Sequence, residues 1–198
     1  MSRPRRYRPC AHCGEQLPLT ARSDARYCSA RCRVAAMRAR RRIPAELRRR
    51  DRWVRHDAAK VPLTADGRPA SSTDPSTWTS HDRACRSAAG AGLGWVLSRD
   101  DDVVCIDLDH CLTADGRPVE WAAALLEGAP PTYIEVSPSG DGLHIWGRAD
   151  FAGGRRLRRG GGSVEIYGSG RYITVTGRRY GRSPVELGRL DDLIASLV

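Results

Sequence analysis

The alternation of apolar and polar side chains is clearest over residues 103–109, Val-Val-Cys-Ile-Asp-Leu-Asp, and this pattern predicts a β-strand. Its aliphatic side chains fall on one face, because successive side chains of a strand point to opposite sides. Asp107 and Asp109 fall on the other face, about 7 Å apart at ~3.3 Å per residue. Two carboxylates at this spacing repel each other unless a cation lies between them. The strand therefore predicts a divalent metal site, with an acidic turn at a strand end as the plainer alternative.

Hydrophobic periodicity and turn residues predict a mixture of strands and helices in the rest of the sequence. Two hairpins are expected, one across the tight loop 137–142 and one across the glycine-rich turn 168–170. The Gly- and Arg-rich residues 153–162 are predicted to form a flexible loop, and residues 69–80 a polar loop. The predicted strands are 53–55, 95–97, 103–109, 133–136, 143–146, 164–167 and 172–176, and the predicted helices are 29–42, 80–88, 119–127 and 187–197.

Functional side chains recur on one face of the predicted strands. His144 and Glu165, like Asp107 and Asp109, each stand opposite aliphatic neighbours. A sheet covered by helices on one side and open on the other would bring these four side chains to the open face. Three acids and a histidine there can hold two divalent metals and a triphosphate, with the histidine on the phosphates. Taken singly, a strand histidine is more often structural, and a half-exposed glutamate is ordinary.

Four cysteines near the N-terminus, Cys10, Cys13, Cys28 and Cys32, follow the spacing C-x2-C-x14-C-x3-C. Two close pairs of thiolates are what a tetrahedral structural zinc site requires. The stretch around the second pair, Tyr-Cys-Ser-Ala-Arg-Cys-Arg, is similar to a treble-clef zinc finger. Four cysteines leave the metal no open position, so we expect zinc to fold this segment rather than to act on a substrate. Reduced, buried cysteines are the alternative, but so arginine-rich a segment offers no core to bury them.

Basic residues are concentrated in the first third of the chain. Residues 1–60 hold 18 Lys and Arg against 5 Asp and Glu, whereas residues 61–198 hold 15 against 18. Such a block predicts binding to a polyanion, most simply nucleic acid. An arginine-biased composition explains the preference for Arg over Lys, but it does not explain the asymmetry. The candidate DNA-binding residues are Arg38, Arg40, Arg41, Arg42, Arg48, Arg49 and Arg50.

The length of 198 residues suits one ordinary domain plus a small one. We expect a zinc finger and basic helix over residues 1–42, a linker over 43–52 and a catalytic domain over 53–198. No apolar run approaches the ~18 residues of a membrane span, and the N-terminus lacks the apolar core of a signal peptide. A cytoplasmic protein that binds no membrane is therefore predicted.

Four phrases of the sequence carry a family resemblance. They are Ala-Ser-Ser-Thr-Asp-Pro-Ser-Thr-Trp at 70–78, Val-Cys-Ile-Asp-Leu-Asp-His at 104–110, Glu-Val-Ser-Pro-Ser-Gly-Asp-Gly-Leu-His at 135–144, and Val-Glu-Ile-Tyr-Gly-Ser-Gly-Arg-Tyr-Ile-Thr-Val-Thr-Gly at 164–177. Residues 53–180 thereby resemble the bifunctional primase–polymerase domain of the archaeo-eukaryotic primase superfamily, which occurs on plasmids, phages and integrated elements. The resemblance implies an α/β (α+β) fold, in which a sheet similar to an RNA-recognition motif is fused to a smaller α/β unit.

The resemblance also implies residue roles. Asp107 and Asp109 match a first, metal-binding motif, His144 matches a second motif that binds the incoming nucleotide, and Glu165 matches a third motif whose acid completes the metal site. By position alone, further nucleotide contacts are expected from Ser139, Gly140, Gly142 and Arg171. The implied cofactors are Mg²⁺ or Mn²⁺ for catalysis, beside structural Zn²⁺. The polar stretch 70–78 is typical of the family but receives no role.

The function expected from these observations is metal-dependent nucleotidyl transfer that primes or extends DNA on a single-stranded template, in the replication of a mobile element or phage. Nucleoside triphosphates and template DNA would be its partners. Because many family members continue into a helicase, a separately encoded helicase is a further expected partner. Two alternatives remain at this point: a non-catalytic zinc-finger replication accessory, and a metal-dependent nuclease or phosphoesterase that uses the same acids.

Overall fold

The computed structural model describes residues 10, 12–13, 15–40 and 42–198, which form two compact units divided between residues 41 and 42. In the first unit, helix α1 spans Ala30–Arg40, close to the predicted 29–42. The Ser29 hydroxyl accepts a hydrogen bond from the backbone N–H of Cys32 at 3.2 Å, which satisfies a donor of the first helical turn. Leu17 is buried in this unit, whereas Met37 is half exposed.

The second unit contains two sheets and four helices within the described part of the chain. The strands are β1 (Trp53–His56), β2 (Pro62–Leu63), β3 (Gly92–Leu97), β4 (Val103–Asp109), β5 (Tyr133–Val136), β6 (Leu143–Arg148), β7 (Gly154–Arg159), β8 (Gly162–Tyr167), β9 (Arg171–Val175) and β10 (Gly188–Arg189). The helices are α2 (Ala45–Arg48), α3 (His81–Arg86), α4 (Glu120–Gly128) and α5 (Asp191–Leu197), and a 3₁₀ turn covers Pro75–Thr77.

The smaller sheet has the strand order β2-β1-β3-β9 and is antiparallel throughout. The larger sheet has the order β10-β6-β4-β8-β7, with β5 also paired to β6. Its pairs are antiparallel except for β10 with β6. This mixed architecture confirms the α+β class. None of the helices in the described residues has the length and apolar character needed to cross a membrane.

One face of β4 is covered by helices. Val104, Ile106 and Leu108 are buried together with apolar side chains of α4 and α5, as the period-2 pattern predicted. The opposite face begins as a second core, in which the start of β4 packs against the smaller sheet through Trp95 and Trp146, whose rings meet edge to face at 5.9 Å. The acidic face is therefore not open along its whole length, because the smaller sheet covers its first half.

Residues 43–52, expected to be a linker, pack into this second core. Ile43 and Leu47 are buried to 2% and 0% exposure. The indole N–H groups of Trp53 and Trp95 both donate to the Leu47 carbonyl, at 3.0 and 3.2 Å. Fully burying a leucine side chain contributes roughly 1.5–3 kcal/mol. The arginines at 48–50 concealed this apolar anchor in the sequence pattern.

Two further predictions about strands are wrong. Residues 154–159, expected within a flexible loop, form edge strand β7, which pairs with β8 along its length. Strands β8 and β9 do not form a hairpin across residues 168–170, because β8 pairs with β4 and β7 whereas β9 pairs with β3. The glycine-rich turn instead carries the chain from the larger sheet to the smaller one. The hairpin of β5 and β6 across residues 137–142 is confirmed.

Candidate active site

Five polar side chains form one row across five neighbouring strands of the larger sheet. In the register of the sheet, Glu135 of β5 stands opposite His144 of β6, which stands opposite Asp107 of β4. Asp107 in turn stands opposite Glu165 of β8, and Glu165 stands opposite Arg156 of β7. Because residues paired across strands point to the same face, antiparallel pairing alone brings these groups together. The sheet thus collects Asp107, His144 and Glu165, as the strand pattern predicted.

A cleft of ≈ 470 Å³ lies where the two sheets separate beyond the tryptophan core. Asp107, Asp109 and His144 line it from the larger sheet. Strand β9 and the chain before β2 supply the opposite wall. Asp109 stands opposite Ser163 in the sheet and accepts a hydrogen bond from its hydroxyl at 3.0 Å. The cleft is therefore acidic on the wall formed by the larger sheet, and its opposite wall carries the basic residues Lys60 and Arg171.

Burial and like charges act together on Asp107, whose side chain is 21% exposed. Burial raises the pKa of Asp107, the cationic His144 lowers it, and the carboxylates of Asp109 and Glu165 raise it further, so that the net shift is upward. The carboxylates therefore lie close enough to disfavour one another's ionised form. A cation among them would relieve this repulsion.

His144 is held between two carboxylates. Its Nδ1 lies 3.3 Å from Oε1 of Glu135, and its Nε2 lies 3.6 Å from Oδ1 of Asp107. Burial lowers the pKa of His144, but the hydrogen bond to Glu135 and the charge of Asp107 outweigh burial, so the pKa is raised overall. The imidazole is thus favoured as a cation whose Nε2 side faces the cleft, which suits it to bind a phosphate oxygen.

Glu135 is a site residue that the sequence reasoning did not identify. It is 0% exposed and accepts hydrogen bonds from the Tyr133 hydroxyl at 2.9 Å and the Trp146 indole at 3.3 Å. The backbone N–H groups of Thr176 and Gly177 also donate to it, at 3.1 and 2.8 Å. A buried carboxylate with this many donors is fixed in place. The tight loop 137–142 was a usable signal, since a hairpin closed there must pair residues 135 and 144.

Glu165 lies beside Asp107 but is engaged by two other groups. Nε of Arg156 lies 3.0 Å from one of its carboxylate oxygens, and the Tyr167 hydroxyl donates to the other at 2.5 Å. Burial and this bond raise the pKa of Tyr167 to about 12, so the phenol stays protonated and donates. The guanidinium of Arg171 lies over the Tyr167 ring at 4.8 Å, and Arg171 lines the cleft.

The loop between β5 and β6 supplies the other predicted nucleotide contacts. Ser139 lines the cleft, and its hydroxyl donates to Asp141 at 2.5 Å. Gly140 has a φ of +93°, which favours glycine. A Cβ at Gly142 would lie 2.7 Å from the carbonyl oxygen of Leu108, so only glycine lets the loop approach the end of β4 so closely. The two glycines shape the loop rather than line the cleft.

Lys60 also lines the cleft, and the sequence reasoning gave this residue no role. Its positive charge lowers the pKa of both Asp107 and His144, although it is a minor contributor to each. Within the described residues, Lys60 and His110 are the non-glycine residues with positive φ, at 62° and 52°. Lys60 lines the cleft, and His110 directly follows Asp109, the last residue of the acidic strand. Backbone strain of this kind clusters at functional sites.

Comparison with known proteins shows the family to which the chain belongs. The family described as "Bifunctional DNA primase/polymerase, N-terminal" matches residues 24–193, which contain the cleft and every residue of its acidic row. The chain belongs to this family. It is also 41% identical over 143 residues to the "DNA Primase-polymerase" of Nitratiruptor phage NrS-1, a stretch that covers 68% of this chain. The chain spans 20% of the length of that relative.

The carboxylates of this primase–polymerase domain offer hard oxygen ligands of the kind that Mg²⁺ and Mn²⁺ prefer. Asp107, Asp109 and Glu165 do not lie within 4.8 Å of one another as a group, in contrast to the cysteines of the first unit. The carboxylates of Asp109 and Glu165 disfavour the ionised form of Asp107, and Glu165 is paired with Arg156. The donor set and its mutual repulsion fit a divalent cation.

The four predicted cysteines form a cluster in the first unit. The sulfur atoms of Cys10, Cys13, Cys28 and Cys32 all lie within 4.8 Å of one another. Sγ of Cys28 lies 3.6 Å from that of Cys13 and 3.4 Å from that of Cys32. Tetrahedral zinc with Zn–S bonds of ~2.3 Å would separate the sulfurs by about 3.8 Å. The cluster therefore fits a metal ion, as the cysteine spacing predicted.

Thiol acidity within this cluster is unequal. The neighbouring thiols of Cys32 and Cys13 raise the pKa of Cys28 to about 12. Burial raises the pKa of Cys10, but backbone N–H donors, first among them that of Cys13, outweigh burial and lower it to about 6. The thiolate form is thus favoured at Cys10 and disfavoured at Cys28. A cation among the four sulfurs would remove this conflict.

The predicted DNA-binding arginines do not behave alike. Arg50 bonds Asp101, which also pairs with Arg52 at 3.0 Å, so Arg50 is held within its own unit. Arg41 lies outside the described residues, and Arg40 is described by its backbone alone. The arginines of this set with exposed side chains are Arg38, Arg42, Arg48 and Arg49.

Proposed function

We propose that this family member catalyses metal-dependent nucleotidyl transfer, in which a 3′-hydroxyl attacks the α-phosphate of a bound nucleoside triphosphate, displaces pyrophosphate, and so primes or extends DNA. The observation that carries this proposal is the row of His144, Asp107 and Glu165 across neighbouring strands of a primase–polymerase domain, with Asp107 and His144 lining the cleft. The relative from phage NrS-1, named a DNA primase-polymerase, supports the same activity.

Each group of the cleft has a part in this reaction. Asp107, Asp109 and Glu165 would hold Mg²⁺ or Mn²⁺, which when bound stabilises charge on the transferring phosphoryl group. His144, fixed by Glu135, donates to a phosphate oxygen of the incoming nucleotide. Lys60, Arg171 and Ser139 line the same cleft and add donors for the triphosphate. Because Arg156 lies 3.0 Å from a carboxylate oxygen of Glu165, a cation that binds Glu165 would compete with this ion pair.

The exposed basic residues support a nucleic-acid partner. Arg38, Arg42, Arg48 and Arg49 would contact backbone phosphates of a single-stranded template. Arg50, held by Asp101, is withdrawn from that set. We propose replication of a mobile element or phage as the setting, in line with the phage relative, and a separately encoded helicase as a further partner.

Synthesis by the wild-type protein tests the proposed activity. Purified protein, single-stranded template and labelled nucleotides should give labelled DNA when Mg²⁺ or Mn²⁺ is present and none when EDTA is added. Parallel reactions with and without primer separate priming from extension. DNA binding without synthesis under any metal condition would favour a replication accessory, and degradation of DNA without nucleotides would favour a nuclease.

We further propose that the cysteine cluster holds one structural Zn²⁺. Metal analysis of protein purified without chelator should find about one zinc per chain, because four thiols lie at tetrahedral spacing. Cys32→Ser should lower the zinc content well below one. Cys111→Ala, which removes a buried thiol from the core beneath the larger sheet, is the matched control and should keep it. Full-length wild-type protein without zinc would contradict the proposal.

A further inference from the structure

Hydrogen bonds hold the polar stretch 70–78 in a defined conformation. The Ser72 hydroxyl donates to the carbonyl of Gly170 at 2.9 Å, which ties the stretch to the turn before Arg171. Within the stretch, the Trp78 indole N–H donates to the Ser71 carbonyl at 2.7 Å. The Thr77 hydroxyl accepts from the backbone N–H of Ser71 at 3.0 Å. These bonds give the stretch one defined shape, and they present Trp78 at a fixed position.

A second cavity of ≈ 650 Å³ lies behind this stretch. It shares Ser72, Tyr167, Gly170 and Arg171 with the cleft that contains the acids, so the two spaces adjoin. The acid cleft has the size and charge for one nucleotide at the metal ligands. A chain of nucleotides that passes through the cleft would therefore continue into this second cavity.

The walls of the second cavity suit a nucleotide unit. Trp78 and Tyr167 contribute aromatic rings, and Arg99 and Arg171 contribute guanidinium groups. Aromatic rings stack on bases, and arginine pairs with phosphate, the combination used by proteins that bind single strands. Asp100 also lines the cavity, but its carboxylate accepts from the Ser98 hydroxyl at 2.8 Å and lies 3.5 Å from Arg52, which offsets its charge.

We propose that this second cavity binds a nucleotide of a single-stranded DNA, next to the nucleotide that reacts at the acids. The position of this nucleotide next to the reacting one rests on the proposed function. Binding of the strand itself can be measured without metal and without synthesis. The stretch 70–78 then acts as the wall that holds the strand in place, with Ser72 joining it to the Arg171 turn.

Photocrosslinking of the full-length protein in EDTA tests the location. A twelve-residue oligonucleotide that carries 5-iododeoxyuridine should crosslink to Trp78 or Tyr167, as read by mass spectrometry of the digested protein. A crosslink confined to other residues would overturn the proposal. Equal crosslinking of free 5-iododeoxyuridine triphosphate at Trp78 would also overturn it, because the cavity would then take a free nucleotide. A crosslink at Trp78 in protein that performs no synthesis would refute only the proposed function.

Fluorescence anisotropy with labelled oligo(dT) measures how much Arg99 and Trp78, which both line the second cavity, contribute to DNA binding. Arg99→Ala should weaken binding several-fold and reduce the slope of log K against log salt by ~0.7, since one phosphate contact is lost. Trp78→Ala should weaken binding about tenfold through lost stacking. Arg182→Ala is the matched charge control, because Arg182 is exposed near β5 at the other side of the larger sheet. Equal effects of Arg99→Ala and Arg182→Ala would contradict the assignment, even if Trp78→Ala were poorly folded.

Discussion

Asp107→Asn should reduce nucleotidyl transfer by at least ~100-fold, the consequence of losing about 2.7 kcal/mol of transition-state stabilisation. Asp107 stands at the centre of the row, between His144 and Glu165, and it lines the cleft. Asparagine keeps the size of the side chain but cannot supply the negative charge that a divalent cation requires. The measurement is the rate of primer extension at saturating template and metal.

Folding should survive this substitution. Burial and the neighbouring carboxylates raise the pKa of Asp107, so its ionised form costs stability at neutral pH and its removal relieves that cost. Thermal unfolding should therefore occur at or slightly above the wild-type temperature. Asp192→Asn on α5, exposed beyond the opposite face of the sheet, is the matched control and should retain full activity. Synthesis that persists in Asp107→Asn would move the metal site elsewhere.

Local patterns predicted the strands that bear the chemistry. The alternation over residues 103–109 matches β4, and the tight loop 137–142 closes the hairpin of β5 and β6. Both signals depend on residues close in sequence, which is why periodicity and turn chemistry were sufficient. Alternation placed Asp107, His144 and Glu165 each on the polar face of its strand, and the pairing of β6, β4 and β8 then set them in a row.

Long-range pairing was harder to predict. Nothing in residues 168–170 reveals that the chain leaves one sheet there and enters the other. Strand β7 carries four arginines and one leucine, so its pattern lacks the apolar alternation of a buried strand; it is an exposed edge held by pairing with β8. The second core depends on Leu47, whose carbonyl accepts from the nearby Trp53 and from Trp95, 48 residues further along the chain. The sheet change at 168–170 and the bond from Trp95 to Leu47 join residues distant in sequence, whereas β7 and β8 form a local hairpin across residues 160–161.

The contacts of Glu135 follow only in part from the register of the hairpin. Once the loop 137–142 is taken as a hairpin, residue 135 must face residue 144, and a glutamate beside a histidine predicts an ion pair. The remaining donors on Glu135 come from Thr176 and Gly177, which follow β9 in the other sheet. Only the packing of the two sheets brings them there. Glu135 therefore links the fold to the chemistry, since one carboxylate joins both sheets and holds His144.

Glu135→Gln should separate the positioning of His144 from general stability. Glutamine keeps the shape, but its amide N–H₂ must face either the Trp146 indole or the donors of Thr176 and Gly177. His144 loses one of its two carboxylate partners, the one at Nδ1, so the KM for the nucleotide should rise several-fold with a smaller change in kcat. A kcat loss without a change in KM would contradict the proposed contact of His144 with the triphosphate.

Glu135→Ala should destabilise the second unit by about 3–5 kcal/mol, because it leaves several buried donors without an acceptor and removes one of the two carboxylates beside His144. The loss is a large share of the ~5–15 kcal/mol typical of a folded domain, and it should lower the thermal midpoint by roughly 10 °C. Differential scanning calorimetry checks this value. Glu127→Ala, an exposed glutamate of α4, is the matched control and should change stability by no more than ~0.5 kcal/mol. If Glu135→Ala and Glu127→Ala unfold at the same temperature, the hydrogen bonds of Glu135 do not hold the two sheets together.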